Sequence, residues 1–421
     1  MKIAILLSDL TANGGAPRQA MLLADGLSKL GHLATLYAAR YCPESCYPEI
    51  ARALDIRAVA RLSLSDVLRR PPARPHGIVS GARRHFWESR QILKMIDPGS
   101  DILNPHVRGA TRAAVALKNR IGTPVVWMCD DARSWEEQGY RAQHARGVQW
   151  LFDRVMARLE KRVVRDIDRV IALDERVKAI LGNYYKRPTE VIRSGVDALR
   201  FQSQPGARGA VRKRHGFASK DFVLLWFGII EPHRRLEDAI DAVALLRGQG
   251  HPEIRLLIAG SAASEPAYAA GLRARVERLR LEESVRFCLE VIPEADVASY
   301  YSAADALVYL AENQCWGLTV FEAIAADLPV IVSRACGASE VLDHLCTAMV
   351  VAPRDPADLA RSIAQLAGTP TLGARLIREA RSQLLERLTW EAYTRNMLRV
   401  FEDVIAQQEH APPMESREAF A

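Results

Sequence analysis

Short apolar runs alternate along the chain with stretches whose apolar residues recur at helical spacing. The first run, residues 2–8, is followed by a polar turn over 9–17 and then by Ala20, Leu23, Ala24, Leu27 and Leu30, which share one face of a helix. Gly31 ends that helix, since a glycine readily takes the left-handed conformation of a C-terminal cap. Runs at 33–39, 101–103, 124–129, 169–173 and 190–193 read as further strands, with helical patterns before or between most of them. Continuous apolar strands separated by helices predict a parallel sheet covered on both faces. Residues 51–95 are less regular and rich in Arg and Pro.

At 201–220 the pattern lapses into polar and basic residues with Gly206 and Gly209, which reads as a linker. A second series follows, with runs at 222–230, 254–259, 285–289, 306–310, 330–333 and 349–352. The expected class is α/β, with two doubly wound, Rossmann-like domains in tandem that take ligands where the carboxyl ends of their strands face each other. The boundaries read as 1–200 for the first domain and 201–388 for the second. A final helix extends to 407, and 408–421 reads as a flexible tail.

Composition narrows the function classes. At 421 residues, 49% hydrophobic and 25% charged, the chain is an ordinary globular one, too long for a single core. The longest apolar stretch, 222–230, falls well short of the roughly 18 residues that cross a bilayer, and Met1 opens directly on a strand-like run, so neither a span nor a leader is expected. Seven scattered cysteines fit neither a disulfide framework nor a zinc site, and a reducing cytoplasm is expected. The net charge of +7 is unevenly placed: residues 1–200 hold 33 Lys and Arg against 21 Asp and Glu, the remainder 24 against 29. Arg69, Arg70, Arg74, Arg83, Arg84 and Arg90 cluster around Phe86 and Trp87. Such a stretch suits a phosphate-bearing acceptor, an anionic membrane surface or nucleic acid, and is otherwise a solvated face.

Three turns carry candidate chemistry. Gly14 and Gly15 lie between the first strand and first helix, where a doubly wound fold presents backbone N–H groups to phosphate, although the spacing is not GxGxxG. In the second domain Gly228 precedes Arg234 and Arg235, whose guanidinium forks suit a diphosphate, although Arg235 can instead pair with Glu231 or Glu237 on the surface. The third turn enters a helix at Gly317, Leu318 and Thr319, with Glu322 one turn further on, placed to accept ribose hydroxyls. His106 ends a strand in the first domain and reads either as an acceptor contact or as a buried structural histidine. Asp166 and Asp168 spell DxD, but as i and i+2 of a helical pattern they face apart and read as capping and surface charge. No cluster has metal spacing, and no cofactor is expected.

These residues resemble glycosyltransferase family 4, the retaining, nucleotide-sugar-dependent enzymes of GT-B fold. The resemblance runs from the Gly14 turn through Asn104-Pro105-His106, residues 169–174, residues 191–197 to Phe201 and the Gly228 turn. Its most specific block is Gly317 to Ser333, continuing into Gly337-Ala338-Ser339-Glu340. It implies that the first domain takes the acceptor, the second takes the nucleotide sugar, and a segment like Leu388-Thr389-Trp390-Glu391 leads the closing helix back to the first domain. The family's paired glutamates fall on Gln314 and Glu322, with Glu312 nearby, and its phosphate-binding Arg and Lys fall on Ile229 and Arg234. Its sugar-contacting position falls on Asp130, with Asp131 beside it.

The resemblance implies a retaining hexosyltransferase that moves sugar from a UDP- or GDP-linked donor to a glycan or lipid-linked, anionic acceptor, without a metal, in polysaccharide or glycolipid biosynthesis. Catalysis would fall to Asp130, Gln314 and Arg234. The donor would be held by Gly14, Gly15, Gly228, Arg234, Arg235, Gly317, Leu318, Thr319 and Glu322, and the acceptor by His106 and Asp131. An amide at Gln314 is neither nucleophile nor base, so double displacement through it is excluded and front-face transfer is expected. The alternatives are a sugar-nucleotide epimerase or hydrolase of the same fold, or a nucleotide-sugar-binding protein without turnover. Nucleic acid is not an expected partner, and the expected location is cytoplasmic, peripheral to the inner membrane face.

Overall fold

A computed structural model describes residues 1–69, 78–130, 148–202, 206–312 and 316–410. Of the residues singled out above, Arg70, Arg74, Asp131, Gln314 and the tail from 411 lie outside the described residues, as do the side chains of Arg69, Arg83 and Arg84. The chain divides into two compact units. Met1–Ala172, Lys178–Ile192 and Tyr393–Ala421 form the first, and Leu173–Val177 with Arg193–Ala392 form the second.

The first unit is built on parallel strands β1 (Lys2–Leu10), β2 (Leu33–Tyr41), β3 (Asp55–Arg61), β4 (Ile102–Pro105), β5 (Val126–Met128), β6 (Arg169–Ala172) and β7 (Thr189–Val191). They pair in the orders β3-β2-β1-β4 and β5-β6-β7, and a parallel bridge between Leu103 and Val125 joins the two sets. Ala20, Leu23, Ala24 and Leu27 of the helix Gly15–Lys29 are fully buried, whereas Leu30 is exposed because it has become the helix's cap residue. Gly31 takes the expected left-handed conformation, φ = 85°. The irregular stretch at 51–95 contains β3 and the helices Leu64–Arg69 and Ile78–Met95, none of them read from the sequence. β3 is an edge strand with no buried position, so no apolar run marks it. In the helix Trp390–Glu409, Tyr393, Met397, Val400, Phe401 and Val404 form a buried stripe. Thr394 packs so closely on the first helix that a Cβ at Gly26 would lie 2.3 Å from its Oγ1.

The second unit holds β8 (Phe222–Phe227), β9 (Ile254–Ala259), β10 (Val285–Cys288), β11 (Ala306–Tyr309), β12 (Val330–Ser333) and β13 (Met349–Val351). All are parallel, in the order β10-β9-β8-β11-β12-β13. Trp226, Ile258, Val308, Ile331 and Met349 from these strands anchor one core with the flanking helices. The stretch read as a linker is instead part of this unit. It contains the helix Ala207–His215, bounded by left-handed Gly206 and Gly216. Its Arg212 is buried, with Nε donating to Ala303 O at 2.9 Å and a terminal nitrogen to Asp305 at 2.5 Å. A guanidinium whose donors are all used can sit in a core, so a basic sequence without apolar periodicity still packs as a helix.

Candidate functional site

Each sheet has one topological switch point, between β1 and β4 in the first unit and between β8 and β11 in the second. There the connections leave in opposite directions and open a crevice at the carboxyl ends of the strands. The candidate residues gather at these two edges.

In the first unit, the loop after β1 is fastened from the loop after β2. Tyr47 Oη accepts from Gly14 N at 3.0 Å and donates to Gly14 O at 3.1 Å, while Ser45 donates to Thr11 O at 2.7 Å. The Gly14 amide, expected to present itself to phosphate, is here engaged by Tyr47. Gly15 stands exposed at the helix start. Beyond β4, Asn104 Nδ2 donates to Val126 O at 2.6 Å, so its Oδ1 must accept the 2.9 Å bond from His106 Nε2. His106 is thus the Nε2–H tautomer, fully buried, its pKa driven down by burial to about 3, and neutral. Its Nδ1 is a bare acceptor without a partner among the described residues. Asp130 follows β5 with both carboxylate oxygens buried, and its charge adds to the burial that raises the Tyr393 phenol well above its usual range. Tyr393 and Asn104 were not legible as site residues: one arrives from the last helix, the other reads as strand.

Asp168 of the DxD sequence accepts from Lys118 Nζ at 2.5 Å and from Val125 N at 2.8 Å, which fixes the start of β5. No cluster able to hold a metal ion occurs among the described residues.

In the second unit, Gly228 (φ = 144°) turns the chain out of β8, and a Cβ at Gly260, after β9, would lie 1.9 Å from Gly228 O. The close approach of these two loops therefore requires glycine. The turn Pro232–Arg234 follows, and Arg234 donates to Tyr309 Oη at 2.8 Å with its guanidinium 5.8 Å from that ring's centre. Burial raises the Tyr309 phenol to about 12 against the lowering effect of Arg234, so it stays neutral. The same ring abuts Gly317 (φ = 77°), where a Cβ would lie 3.1 Å from Tyr309 and 3.2 Å from Cys336 Sγ. Gly317 caps the helix Leu318–Ala325, leaving the first-turn amides of Leu318 and Thr319 without carbonyl partners inside the helix. Glu322, buried one turn on, accepts from Tyr301 Oη at 2.9 Å.

Arg234 and Gly317 are thus tied together through Tyr309, with Gly228 beside the Arg234 guanidinium and the Leu318 and Thr319 amides directly after Gly317. A guanidinium beside a helix N-terminus is a site for phosphate oxygens. Arg235 is not part of it. At φ = 55° it turns to Asp238, with bonds of 2.8 and 3.0 Å, and to Glu237 at 2.7 Å. Glu312 forks with Arg354 at 2.6 and 2.8 Å, which holds its carboxyl below the usual range. Ile229 is half-exposed beside the Gly228 turn. Tyr309 and Tyr301 were missed because both read as core positions, and only their hydroxyls reach the edge.

Comparison with known proteins converges on one group. Residues 13–200 match the family model described as Glycosyltransferase Family 4, and residues 207–383 match that of glycosyl transferases group 1. A D-inositol 3-phosphate glycosyltransferase of Streptomyces scabiei is 32% identical over 225 residues, which is 52% of this chain and 50% of that protein. The chain spans about half the length of the first curated relatives it matches. Among solved structures, Anabaena HepE in complex with UDP-glucose superposes with a TM-score of 0.75 at 18% identity, covering 96% of this chain and 100% of that one. Sucrose-phosphate synthase of Thermosynechococcus elongatus gives 0.72 at 18% identity, covering 96% and 99%.

Proposed function

From the premise that the chain belongs to glycosyltransferase family 4 and has the GT-B fold, we propose that it transfers a sugar from a nucleoside-diphosphate donor to an acceptor hydroxyl with retention at the anomeric carbon. The observation that carries this reading is the assembly of Arg234, Tyr309, Gly317 and the Leu318–Thr319 amides at the switch point of the second unit. Its charge and free donors match a diphosphate, with Glu322 one helical turn away for the ribose. The HepE structure was solved with UDP-glucose, which favours a UDP-linked donor among the candidates.

In this reading the bond between the anomeric carbon and the diphosphate oxygen breaks as the acceptor oxygen adds on the same face. The departing phosphate oxygen takes the acceptor's proton, while Arg234 and the helix amides hold the developing charge. The first unit takes the acceptor through the edge bearing Asp130 and His106, whose Nδ1 accepts a hydrogen bond from an acceptor hydroxyl. The acceptor is a glycan or lipid-linked anionic molecule. No described helix is long and apolar enough to cross a membrane, and contact with an anionic surface would be made by exposed aromatic and basic residues of the first unit.

The test is incubation with UDP-, GDP- and ADP-sugars with and without acceptor, followed by NMR of the product. Transfer with retained anomeric configuration is expected. Inversion overturns the mechanism, and tight donor binding with no transfer to any acceptor favours a binding protein, as the exposed Ile229 at the family's arginine position would explain.

A further inference from the structure

The loop that enters the helix Leu318–Ala325 is strained. Trp316 and Gly317 are consecutive left-handed residues, at φ = 43° and 77°. For tryptophan this conformation is disfavoured and persists only where the surroundings impose it. Three contacts do so. The indole stacks on Phe321, with centroids 4.4 Å apart and planes at 20°, and Arg193 lies 5.6 Å over it. The third contact is to the backbone itself: Asp174 Oδ2 accepts the Trp316 amide at 3.0 Å.

Asp174 is fully buried, and its other oxygen accepts from Val177 N at 2.7 Å, capping the helix Glu175–Tyr185. The residues on either side of it are fastened as well. Glu340 accepts from Glu175 N at 2.9 Å and Arg176 N at 2.8 Å, so the segment Leu173–Val177 is held onto the second unit. Gly337 closes the pocket around the bond, where a Cβ would lie 2.3 Å from Asp174 Oδ2 and 2.6 Å from Trp316 N. No side chain fits between them. Asp174 stands far from this loop in sequence, and nothing in its spacing marks it as more than a helix cap.

We propose that Asp174 is a positioning residue for the diphosphate cradle. By holding the Trp316 amide, its carboxylate locks the Trp316–Gly317 turn and so aims the Leu318 and Thr319 amides before any ligand arrives. Gly337 is the complementary requirement, because it leaves room for that single bond. The inference rests on the nucleotide-sugar reading of this site.

Three proteins test it by titration calorimetry with UDP, GDP and ADP in turn. Asp174→Ser keeps a side chain that caps helices but is too short to reach Trp316. Gly337→Ala breaks the same bond from the other side and leaves the carboxylate in place. Glu340→Gln perturbs the same helix start and the Arg193 ion pair while leaving the Asp174–Trp316 bond in place. The first two are expected to lose about 10-fold or more in affinity for the best nucleotide, the size of a lost bond to a charged group, and Glu340→Gln to stay near wild type. Affinity unchanged in folded Asp174→Ser, or lost equally in Glu340→Gln, overturns the proposal.

Should the variants not fold, amide exchange on the wild-type chain decides. The Trp316 amide, bonded to Asp174, is expected to be protected without nucleotide, and protection of it that appears only with UDP defeats preorganisation by Asp174. Failure of the wild type to bind any nucleotide instead removes the reading on which the proposal rests.

Discussion

Arg234 is the group on which the second unit's chemistry depends. Its Nη1 both donates to Tyr309 Oη and lies beside Gly228, where an added Cβ would stand 3.6 Å away. Removing a charge-assisted contact costs about 1.5–3 kcal/mol, so Arg234→Ala is expected to weaken UDP binding roughly 10- to 150-fold by calorimetry. Glu322→Ala should fall in the same range, leaving Tyr301 without its acceptor. An unchanged affinity in either folded variant takes that residue out of the site. At the first unit's edge His106 makes a different kind of prediction. Unfolded, it takes a proton near pH 6.5, whereas folded it does so only near 3, because burial penalises the imidazolium. A folded pKa below the unfolded one means stability that is present above about pH 6.5 and lost as the pH falls towards the folded value. Between pH 7 and 5 the loss is about 2 kcal/mol. In urea titrations His106→Gln should therefore lose less stability than wild type over that interval, and an identical loss would show that His106 is protonated in the folded chain.

Helices and strands differ in how openly the sequence announces them. Strands such as β8 and β11 are buried on both faces and appear as unbroken apolar runs, which is why both sheets were legible. β3 and the helix Ala207–His215 were not, because an edge strand needs no apolar face and a helix docked through Arg212 needs little apolar periodicity. Caps were only partly legible. Asp355 accepts from Asp358 N at 2.9 Å with Pro356 at the first helical position, and Asp358 reaches back to accept Ala352 N at 2.8 Å, which holds its carboxyl below the usual range. Two carboxylates thus fix the path from β13 into the helix Pro356–Gly368. Asp355→Ala is expected to cost about 0.5–2 kcal/mol in chemical denaturation and Asp355→Ser much less, since serine also caps. Equal losses in the two would mean that the cap is not what the position supplies.

At the scale of the whole molecule, the sequence announces residues that are consecutive and hides those that topology brings together. Gly317 to Glu322 form one helix start and could be read directly, but Tyr309, Tyr301 and Asp174 reach the same loop from separate elements. The uneven charge of the chain was equally legible, and the structure gives part of it a surface. The helices Ile78–Met95 and Val148–Arg165 both pack against Arg108–Ile121. They expose Phe86, Trp87, Trp150, Leu151 and Val155. Arg112 lies 4.1 Å over the Phe86 ring and Arg154 lies 4.8 Å over Trp150, so cations and aromatic rings share the face. Rings that enter the headgroup layer while guanidinium groups meet lipid phosphate give binding that needs both an apolar and an anionic surface. Flotation with neutral and anionic vesicles at low and high salt separates these terms, because salt screens the charges while leaving the apolar contact. Binding is expected with anionic vesicles at low salt, at about 1 kcal/mol per engaged arginine, and should fall at high salt and in the Trp87→Ser, Trp150→Ser double variant. Equal failure to bind both kinds of vesicle would leave the soluble anionic acceptor as the partner of this face, and equal binding to both would show that its arginines play no part.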